Sequence, residues 1–321
     1  MARLNVLVIG GSGFIGSHLV AKLSAGGARV VLPTRRLDRV QHLIPLPRVE
    51  AVQADSNDPA TLRRLMTGMD AVINLVGLLH SRPGTPYGPD FARAHVELPR
   101  QVVAACAAAG VPRYLHMSSL GASATGPSMY SRSKAAGELA AAAEPTVAAT
   151  IFRPSVVFGP EDNFLNMFAG MQKLLPLIPL GGATARFQPV YVEDVALAFV
   201  NALDLPHSRG ATVELAGPAV YTLAQLVTLA GTYAGHPRTV LALPPALARL
   251  QALLLEWAPG GPLMSRDNLD SMMVDNVLSP TSSAWTAAAL GITPVALEAV
   301  VPRWLGGERS ELDKLRSRAG R

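Results

Sequence analysis

Short apolar runs are separated by longer segments of helical spacing along the first half of the chain. The runs of strand length are residues 4–10, 29–32, 49–54, 71–76, 114–117 and 148–157. Helical spacing covers residues 14–25, 91–109 and 128–143, and Asp58 with Pro59 forms the start of a further helix. Strands that are apolar throughout are typical of a parallel sheet covered by helices on both faces. The pattern predicts an α/β fold with a doubly wound parallel sheet.

The pattern changes after Gly159. Prolines become frequent, and helical spacing dominates at residues 223–233 and 247–257. We expect a first domain at residues 1–159, completed by a return segment at about residues 186–204. Residues 160–305 are expected to form a smaller, mostly helical substrate lobe, and residues 306–321 a flexible basic tail.

A single apolar helix face is predicted at residues 246–257. It carries Leu247, Leu250, Leu254 and Trp257. Burial of this face against the sheet is the favoured interpretation. An apolar substrate entrance or a peripheral contact with a membrane surface is the alternative. No transmembrane span is expected, because prolines and Arg249 interrupt the longest apolar stretch.

Composition and charge narrow the class of protein. Hydrophobic residues make up 49% of the chain and charged residues 16%, which excludes a disordered chain. The net charge is +5, but residues 303–321 contain six basic and three acidic side chains. Because only about +2 remains for the folded body, we expect no nucleic-acid partner.

Cys106 is the only cysteine, and it lies in an alanine-rich helical stretch. One thiol forms neither an intramolecular disulfide nor a structural zinc site, so no metal is predicted. We interpret Cys106 as a small core residue and expect a reducing, cytoplasmic location.

Glycines at Gly10, Gly13 and Gly16 lie between the first predicted strand and the first predicted helix. The first permits a tight turn, the second lets the backbone approach a pyrophosphate, and the third lets the helix pack closely on the strand. The helix N-terminus then offers N–H groups and a positive dipole to the anion. This placement predicts that residues 1–159 form a Rossmann domain that binds a nicotinamide dinucleotide.

The end of the second strand distinguishes NAD from NADP. A carboxylate there would bind the ribose 2′-hydroxyl, whereas this strand ends in Arg35 and Arg36. Guanidinium groups suit a 2′-phosphate, so NADP is favoured and NAD is the alternative. At least one of the two arginines is also compatible with a solvated surface turn. Asp55, after the third strand, is expected either to reach the adenine edge or to cap a helix near Asp58.

Tyr130 and Lys134 are four residues apart on a predicted helix, so their side chains share one face. A lysine ammonium lowers the pKa of a nearby phenol and so favours acid–base chemistry. Ser118 and Ser119 end the preceding strand, where a hydroxyl can donate a hydrogen bond to a substrate oxygen. A half-buried tyrosine beside a solvated lysine is the alternative interpretation.

These residues, taken together, resemble the short-chain dehydrogenase/reductase superfamily in its extended and atypical branch. Arg153-Pro154 followed by Phe158-Gly159-Pro160 fits the same order. The chain is similar, more specifically, to the NADP(H)-binding accessory subunit of respiratory complex I and its bacterial relatives. The residues that carry this likeness include His95-Val96-Glu97, Phe164-Leu165-Asn166, Arg186-Phe187-Gln188-Pro189, Asp267-Asn268 and Asp275-Asn276-Val277.

The superfamily resemblance implies Tyr130 as acid/base, Lys134 as its activator and ribose ligand, and Ser119 as carbonyl polariser, with Ser118 in reserve. His95 stands where many extended members have asparagine, which weakens a simple transfer of epimerase activity. The predicted cofactor-binding residues are Gly10, Ser12, Gly13, Phe14, Ile15, Gly16, Arg35, Arg36, Asp55, Val76, Gly77, Lys134 and Pro154.

We therefore expect an NADP(H)-dependent oxidoreductase with a small-molecule substrate, either an apolar carbonyl compound or a quinone. Two alternatives stay open. The complex I likeness implies a dinucleotide-binding assembly or stability factor without turnover, and the wider family implies a nucleotide-sugar epimerase or dehydratase. An oligomer is compatible with the sequence.

Overall fold

Eight parallel strands form the central sheet. The computed structural model describes residues 4–258 and 262–306. The strands are β1 (Asn5–Ile9), β2 (Arg29–Thr34), β3 (Val49–Gln53), β4 (Ala71–Asn74), β5 (Arg113–Met117), β6 (Ala148–Pro154), β7 (Val157–Phe158), β8 (Leu177–Leu180), β9 (Arg186–Phe187), β10 (Val190–Tyr191), β11 (Thr212–Leu215), β12 (Tyr221–Thr222), β13 (Thr239–Ala242) and β14 (Trp285–Thr286).

Helices lie on both faces of the sheet and in the second lobe. They are α1 (Phe14–Ala25), α2 (Pro59–Met66), α3 (Pro89–Phe91), α4 (Leu98–Ala109), α5 (Met129–Ala141), α6 (Leu165–Leu174), α7 (Val192–Asp204), α8 (Leu223–Tyr233), α9 (Pro245–Leu255), α10 (Arg266–Ser271), α11 (Leu297–Val300) and α12 (Pro302–Leu305). A π-helical segment, Ala92–Glu97, joins α3 to α4.

Along each inner strand, alternate residues pack into two separate hydrophobic cores, one on each face of the sheet. On β1, Val6 and Val8 pack in the core shared with α1 and α7, whereas Leu7 and Ile9 pack in the core shared with α2 and α4. Successive strand residues point to opposite faces, so a strand buried on both sides must be apolar at every position. The predicted α/β fold with a doubly wound parallel sheet is confirmed.

The strands of the central sheet lie in the order β14-β11-β6-β5-β4-β1-β2-β3, and this order reverses between β1 and β4. Chain connections from β1 run outward through β2 to β3, and β4 begins the other half on the opposite side of β1. Ile9 and Asn74, the last residues of these two strands, lie side by side in the parallel register. The loops that follow them therefore diverge to opposite faces and leave a crevice at the carboxyl edge, where this class of sheet binds ligands.

The second lobe is built around a smaller core of its own. Helices α6 and α8 pack together with the β8–β13 ribbon, and buried residues such as Phe168, Ile178 and Leu226 fill the space between them. Two strands from this half, β11 and β14, leave the lobe and extend the central sheet beyond β6. Helix α7, in the predicted return segment, packs beside α1. Residues 307–321 of the predicted basic tail lie outside the described residues.

The expected burial of the apolar face at residues 246–257, most of which form α9, is wrong. Ala248 and Ala252 are the buried residues of α9, whereas Leu247, Leu250 and Leu254 are exposed. The alanines face β8, because a Cβ built on Gly181 would lie 2.9 Å from the Ala248 Cβ. Small side chains permit this close approach, which turns the leucines outward. No helix in the described part of the chain is long and apolar enough to cross a bilayer.

The close packing of α1 on the glycine turn yields a test of the fold. A Cβ on Gly16 would lie 2.5 Å from the Gly11 Cα and 2.6 Å from the Gly10 carbonyl oxygen. Because backbone atoms cannot rotate away, we expect Gly16→Ala to lower the free energy of unfolding by about 1–3 kcal/mol. Denaturant titration measures the change.

Gly170→Ala is the matched control, because this helical glycine has open space around its Cβ position. We expect it to raise the free energy of unfolding by about 0.5–1 kcal/mol through helix propensity. Equal effects of the two substitutions would contradict the packing account.

Candidate active site

The glycine turn after β1 forms the phosphate-binding part of the candidate site. Gly10 has a positive φ of 82°, and a Cβ there would lie 3.1 Å from the Val76 nitrogen in the loop after β4. Gly13 is the N-cap of α1, and its N–H donates to the Gly10 carbonyl at 3.1 Å. Glycine is required at position 10 by both its backbone conformation and this close approach.

The N-terminus of α1 is suited to an anion. No side chain caps this 12-residue helix, and no acidic residue lies in its first turn. A Cβ on Gly13 would touch only the Gly10 carbonyl oxygen, at 3.4 Å, so the space in front of it is open. The uncapped N–H groups and the helix dipole fit a dinucleotide pyrophosphate. Ser12, Phe14 and Ile15 lie on this same turn, half-buried.

Arg35 and Arg36, at the end of β2, differ in their surroundings. Arg36 donates two hydrogen bonds to Asp38, from Nε at 3.2 Å and from Nη2 at 2.6 Å. Arg35 is exposed and makes no ion pair with any other residue that the structure describes. Arg35 is therefore the guanidinium available to a ligand at this strand end, and Asp38 is a carboxylate that the sequence analysis did not consider.

Asp55 holds a turn after β3. Its Oδ1 accepts hydrogen bonds from the Asn57 backbone N–H at 3.0 Å and from the Asn57 side chain at 2.7 Å. The cap of α2 is Asp58, which accepts from the backbone N–H groups of Ala60 and Thr61. Asp55 therefore does not cap α2, since Asp58 has that role.

The loop after β4 brings Val76 and Gly77 to the crevice. The Val76 N–H donates to the Asn74 Oδ1 at 3.1 Å. A Cβ on Gly77 would lie 3.9 Å from both the Lys134 Nζ and the His95 Nε2. Gly77 is exposed, so its bare backbone forms one wall of the crevice directly beside the lysine.

His95 anchors this loop as a neutral imidazole. Its Nε2 accepts the Leu78 N–H at 2.9 Å, so the proton resides on Nδ1, which donates to the Ser133 Oγ at 2.8 Å. Burial, together with the Lys134 charge, lowers the His95 pKa to about 2. The ring stacks on Phe91 and meets the Tyr130 ring edge-on at 5.7 Å. His95 therefore acts structurally, between the loop and α5.

Tyr130 and Lys134 share one face of α5, as their spacing predicts. The Lys134 Nζ is buried and donates to the Met117 carbonyl at 2.8 Å. Burial lowers the Lys134 pKa to about 8, although the nearby Glu138 carboxylate opposes this. A lysine with a pKa near neutrality, kept out of water, is typical of a functional site.

The Tyr130 phenol does not have the lowered pKa that the sequence analysis expected. Burial raises its pKa, and the neighbouring Ser119 hydroxyl opposes the rise without forming a hydrogen bond of ordinary geometry. The physical reason is that a phenolate would lose its hydration at this buried position. In this state the phenol is a proton donor rather than a base.

The two serines at the end of β5 have different partners. The Ser118 hydroxyl donates to Glu138 at 2.5 Å, and Arg153 forms a two-point ion pair with the same carboxylate. The Ser119 Oγ is buried and has no hydrogen-bond partner among the described residues. A buried hydroxyl without a partner is unfavourable unless a ligand supplies one. Ser119, rather than Ser118, is thus free to bind a substrate oxygen.

Pro154 ends β6 at the same edge of the sheet. Its carbonyl accepts the Leu120 N–H at 2.8 Å, which ties the end of β6 to the turn after Ser119. The structure therefore brings Ser119, Tyr130, Lys134, Gly77 and Pro154 to one edge.

Two side chains of the second lobe, Asp267 and Asn276, hold the elements of this site, and the sequence analysis assigned them no role. The Asp267 carboxylate accepts the N–H groups of Met129 and Tyr130, at 2.6 and 3.1 Å, at the start of α5. The Asn276 Oδ1 accepts from the Ser155 Oγ at 2.6 Å, and its Nδ2 donates to the Leu120 carbonyl at 3.2 Å. The signal was their presence among the residues shared with the complex I subunits.

Comparison with known proteins agrees with this geometry. Residues 6–216 match the model of the NAD dependent epimerase/dehydratase family. The chain belongs to that family. The structure of MoeE5 in complex with UDP-glucose and NAD matches with a TM-score of 0.71 over 99% of this chain and all of that one, at 21% identity, which is a likeness of fold.

The curated relatives are more specific. The chain is 31% identical to the mouse protein NADH dehydrogenase (ubiquinone) 1 alpha subcomplex subunit 9, mitochondrial, over 95% of its own length and 82% of that protein. The resemblance to the complex I accessory subunit is therefore confirmed. A ceramide reductase of Caulobacter vibrioides is 36% identical over 62% of this chain and 61% of that protein.

The expected cytoplasmic location is contradicted by these comparisons. The relatives from mouse, Arabidopsis thaliana and Neurospora crassa are all named as mitochondrial proteins. The inference rested on Cys106, and a single buried thiol indicates only that disulfides are not needed. It does not distinguish one reducing compartment from another.

The buried ammonium predicts a pH-dependent stability. Below pH 8, Lys134 is charged in both the folded and the unfolded protein, and the folded state bears the desolvation penalty. The wild type gains stability as pH rises from about 8 toward the usual lysine value of 10.5, because the unfolded chain then binds more protons. At pH 7 we expect Lys134→Met to raise the free energy of unfolding by about 2 kcal/mol, after subtracting the lost hydrogen bond.

Denaturant unfolding at pH 7 and pH 10 measures this difference, which should shrink at the higher pH. Lys173→Met, at an exposed lysine, is the control and should change stability little at either pH. A destabilised Lys134→Met at pH 7 would show that the ammonium is well compensated in the fold.

Proposed function

We propose that the protein is an NADP(H)-dependent oxidoreductase that acts on an apolar carbonyl compound or a quinone-like substrate. The observation that carries this proposal is the buried Ser119 hydroxyl next to Tyr130, at the crevice lined by Gly77 and Lys134. It has no hydrogen-bond partner among the residues that the structure describes. A buried hydroxyl with a purely structural role would form a hydrogen bond within the protein. Here a substrate oxygen can serve as the hydrogen-bond partner.

A reduced nicotinamide dinucleotide bound in this crevice would supply the hydride that the carbonyl carbon of the substrate accepts. In the proposed reaction, the Ser119 hydroxyl donates a hydrogen bond to the carbonyl oxygen and polarises it. The Tyr130 phenol gives its proton to the same oxygen as negative charge develops there. Its raised pKa keeps that proton in place before reaction. Lys134 holds positive charge beside this oxygen and binds the nicotinamide ribose.

The preference for NADP(H) rests on the strand end after β2. Arg35 is exposed and unpaired with the described carboxylates, and its planar donors match a 2′-phosphate. Arg36 shares its donors with Asp38, so it contributes less. The residues that would hold the pyrophosphate are Gly10, Ser12, Gly13, Phe14, Ile15 and Gly16. Those that would line the adenine and nicotinamide ends are Asp55, Val76, Gly77 and Pro154.

The apolar character of the substrate is supported by the walls of the crevice. Leu78 and Leu79 follow Gly77 and are both exposed. A reductase of a lipid is among the relatives of this chain, by its name. Apolar side chains exposed at the mouth of a site favour a ligand that covers them.

Arg35→Ser tests the choice of cofactor. Loss of a charge-assisted contact to the 2′-phosphate should weaken NADPH binding by roughly tenfold to a hundredfold and leave NADH binding nearly unchanged. Fluorescence titration of both dinucleotides measures the two dissociation constants. Arg64→Ser, at an exposed arginine on α2, is the matched control. If the ratio of the NADPH and NADH dissociation constants is unchanged in Arg35→Ser, Arg35 does not bind the 2′-phosphate.

Tyr130→Phe tests the chemistry. Purified protein is incubated with NADPH and a panel of quinones, sterol-like ketones and long-chain ketones, and oxidation is followed by absorbance. We expect turnover by the wild type and a loss of roughly a hundredfold or more in Tyr130→Phe, because the proton donor is removed. Tyr233→Phe, in the second lobe, should keep full activity.

A second function is favoured by the complex I relatives: a dinucleotide-binding assembly or stability factor that does not turn over. In that case NADPH binds and stays unoxidised with every substrate of the panel, and Tyr130→Phe has no effect. Co-purification with respiratory subunits and a tightly retained dinucleotide would then identify this second role.

A further inference from the structure

Helix α9 presents an outward apolar face, which we call the leucine face: Leu247, Leu250, Leu254 and Trp257. Leu254 is 66% exposed and Trp257, just beyond the helix end, is 83% exposed. The inward side of the helix is fixed, because Ala248 and Ala252 are buried and the Gln251 Nε2 donates to the Pro179 carbonyl of β8 at 2.8 Å. The leucines therefore cannot turn inward without breaking this packing.

The elements next to α9 add to the apolar surface. Leu177 on β8 and Leu241 on the paired strand β13 are both exposed, as is Leu263 after the helix. Leu174, at the end of α6, is 85% exposed. Exposed leucines are thus grouped on adjoining elements of one lobe, and such a grouping is typical of a surface that another body covers.

The charges around the leucine face favour an anionic partner. Asp270 is paired with Arg249 at 3.2 Å, and Glu256 is paired with Arg266 at 3.1 Å. Both carboxylates next to the face are thus neutralised by arginines. Lys173, beside Leu174, is exposed and makes no ion pair with any residue the structure describes. The surface is apolar with a neutral to positive rim.

The same surface leads toward the candidate active site. The Asn268 side chain, on α10, donates to the Leu79 carbonyl at 3.3 Å and so links the loop after β4 to this part of the second lobe. Leu78 and Leu79 extend the exposed leucines to Gly77, which lies beside Lys134. A body that covers the leucine face therefore adjoins the mouth of the crevice.

We propose that the leucine face binds peripherally to an anionic lipid bilayer, with α9 lying in the plane of the interface. Specific protein interfaces combine apolar contacts with about one hydrogen bond per 100–200 Å². The leucine face offers a single hydrogen-bonding group, the indole of Trp257. Fluid acyl chains need neither hydrogen bonds nor a matched shape, and tryptophan is favoured at the depth of the headgroups.

The dimensions of α9 agree with lying on a bilayer. The helix has 11 residues, about half of what a spanning helix requires. Its apolar residues occupy one side, and the opposite side is fixed to the protein. Basic side chains at the rim can meet lipid phosphates while the leucines enter the acyl boundary.

Vesicle flotation of the full-length protein tests the proposal. The vesicles are phosphatidylcholine alone or phosphatidylcholine mixed with phosphatidylglycerol, without dinucleotide or substrate, so the result is independent of the proposed reaction. We expect flotation with the anionic vesicles, weakened by salt. The double variant Leu254→Gln/Trp257→Gln should lower the bound fraction by roughly tenfold or more.

Leu139→Gln is the matched control, since Leu139 is 74% exposed on α5, outside the proposed surface. It should float like the wild type, and circular dichroism and NADPH binding should be unchanged in all variants. Failure of the wild type to float, or equal flotation of the double variant, would overturn the proposal. So would a dimer that the double variant abolishes in the absence of lipid binding, because the face would then join two copies of this chain.

Discussion

The close contact between the backbones of α1 and the glycine turn constrains the rest of the candidate site. The Cβ position of Gly16 is filled by the turn itself, so α1 leaves β1 at one angle only. That angle aims the N-terminus of α1 at the carboxyl edge of the sheet, where the order of strands reverses. The loop after β4 arrives at the same edge and touches Gly10. The anion-binding end of a helix and the wall of a crevice are thereby placed together by backbone packing alone.

The second lobe completes this site by polar contacts rather than by apolar packing. Asp267 accepts two N–H groups at the start of α5, which are N–H groups that no intrahelical bond can satisfy. Asn276 bridges the loops after β5 and β6. Because these bonds are directional, they fix the orientation of α5 and of the turns that follow β5 and β6. The lobe that we expect to choose the substrate is also the lobe that positions Tyr130.

Charges are buried around α5 in a way that stability alone does not favour. Glu138 is satisfied by Ser118 and Arg153, and Arg153 also faces Glu214. Lys134 has only the Met117 carbonyl as a hydrogen-bond partner, and the charge of the nearby Glu138 offsets its desolvation only in part. The Glu138 carboxylate has strong partners, whereas the desolvation of the Lys134 ammonium is offset only in part. A buried charge of the second kind, with a shifted pKa, is typical of a functional site. The leucine face is likewise unfavourable for stability in water, because it leaves apolar side chains exposed to solvent.

The sequence by itself determined six of the eight strands of the parallel sheet, their alternation with helices along the first half of the chain, and the glycine turn after β1. A strand that is apolar at every position must be buried on both faces, and three glycines at one strand–helix junction have few other uses. The spacing of Tyr130 and Lys134 also followed from the sequence, since four residues make about one helical turn.

Only the tertiary structure decided what depends on distant segments. It separated Ser118 from Ser119 through Glu138, raised rather than lowered the Tyr130 pKa, and brought Asp267 and Asn276 to the site from more than a hundred residues away. It also decided which side of α9 is buried. The periodicity of α9 shows one apolar face, but Ala248 and Ala252 fit closer to β8 than leucines can, so the smaller side chains were buried. Periodicity identifies a face; the space available beside it decides which face is inside.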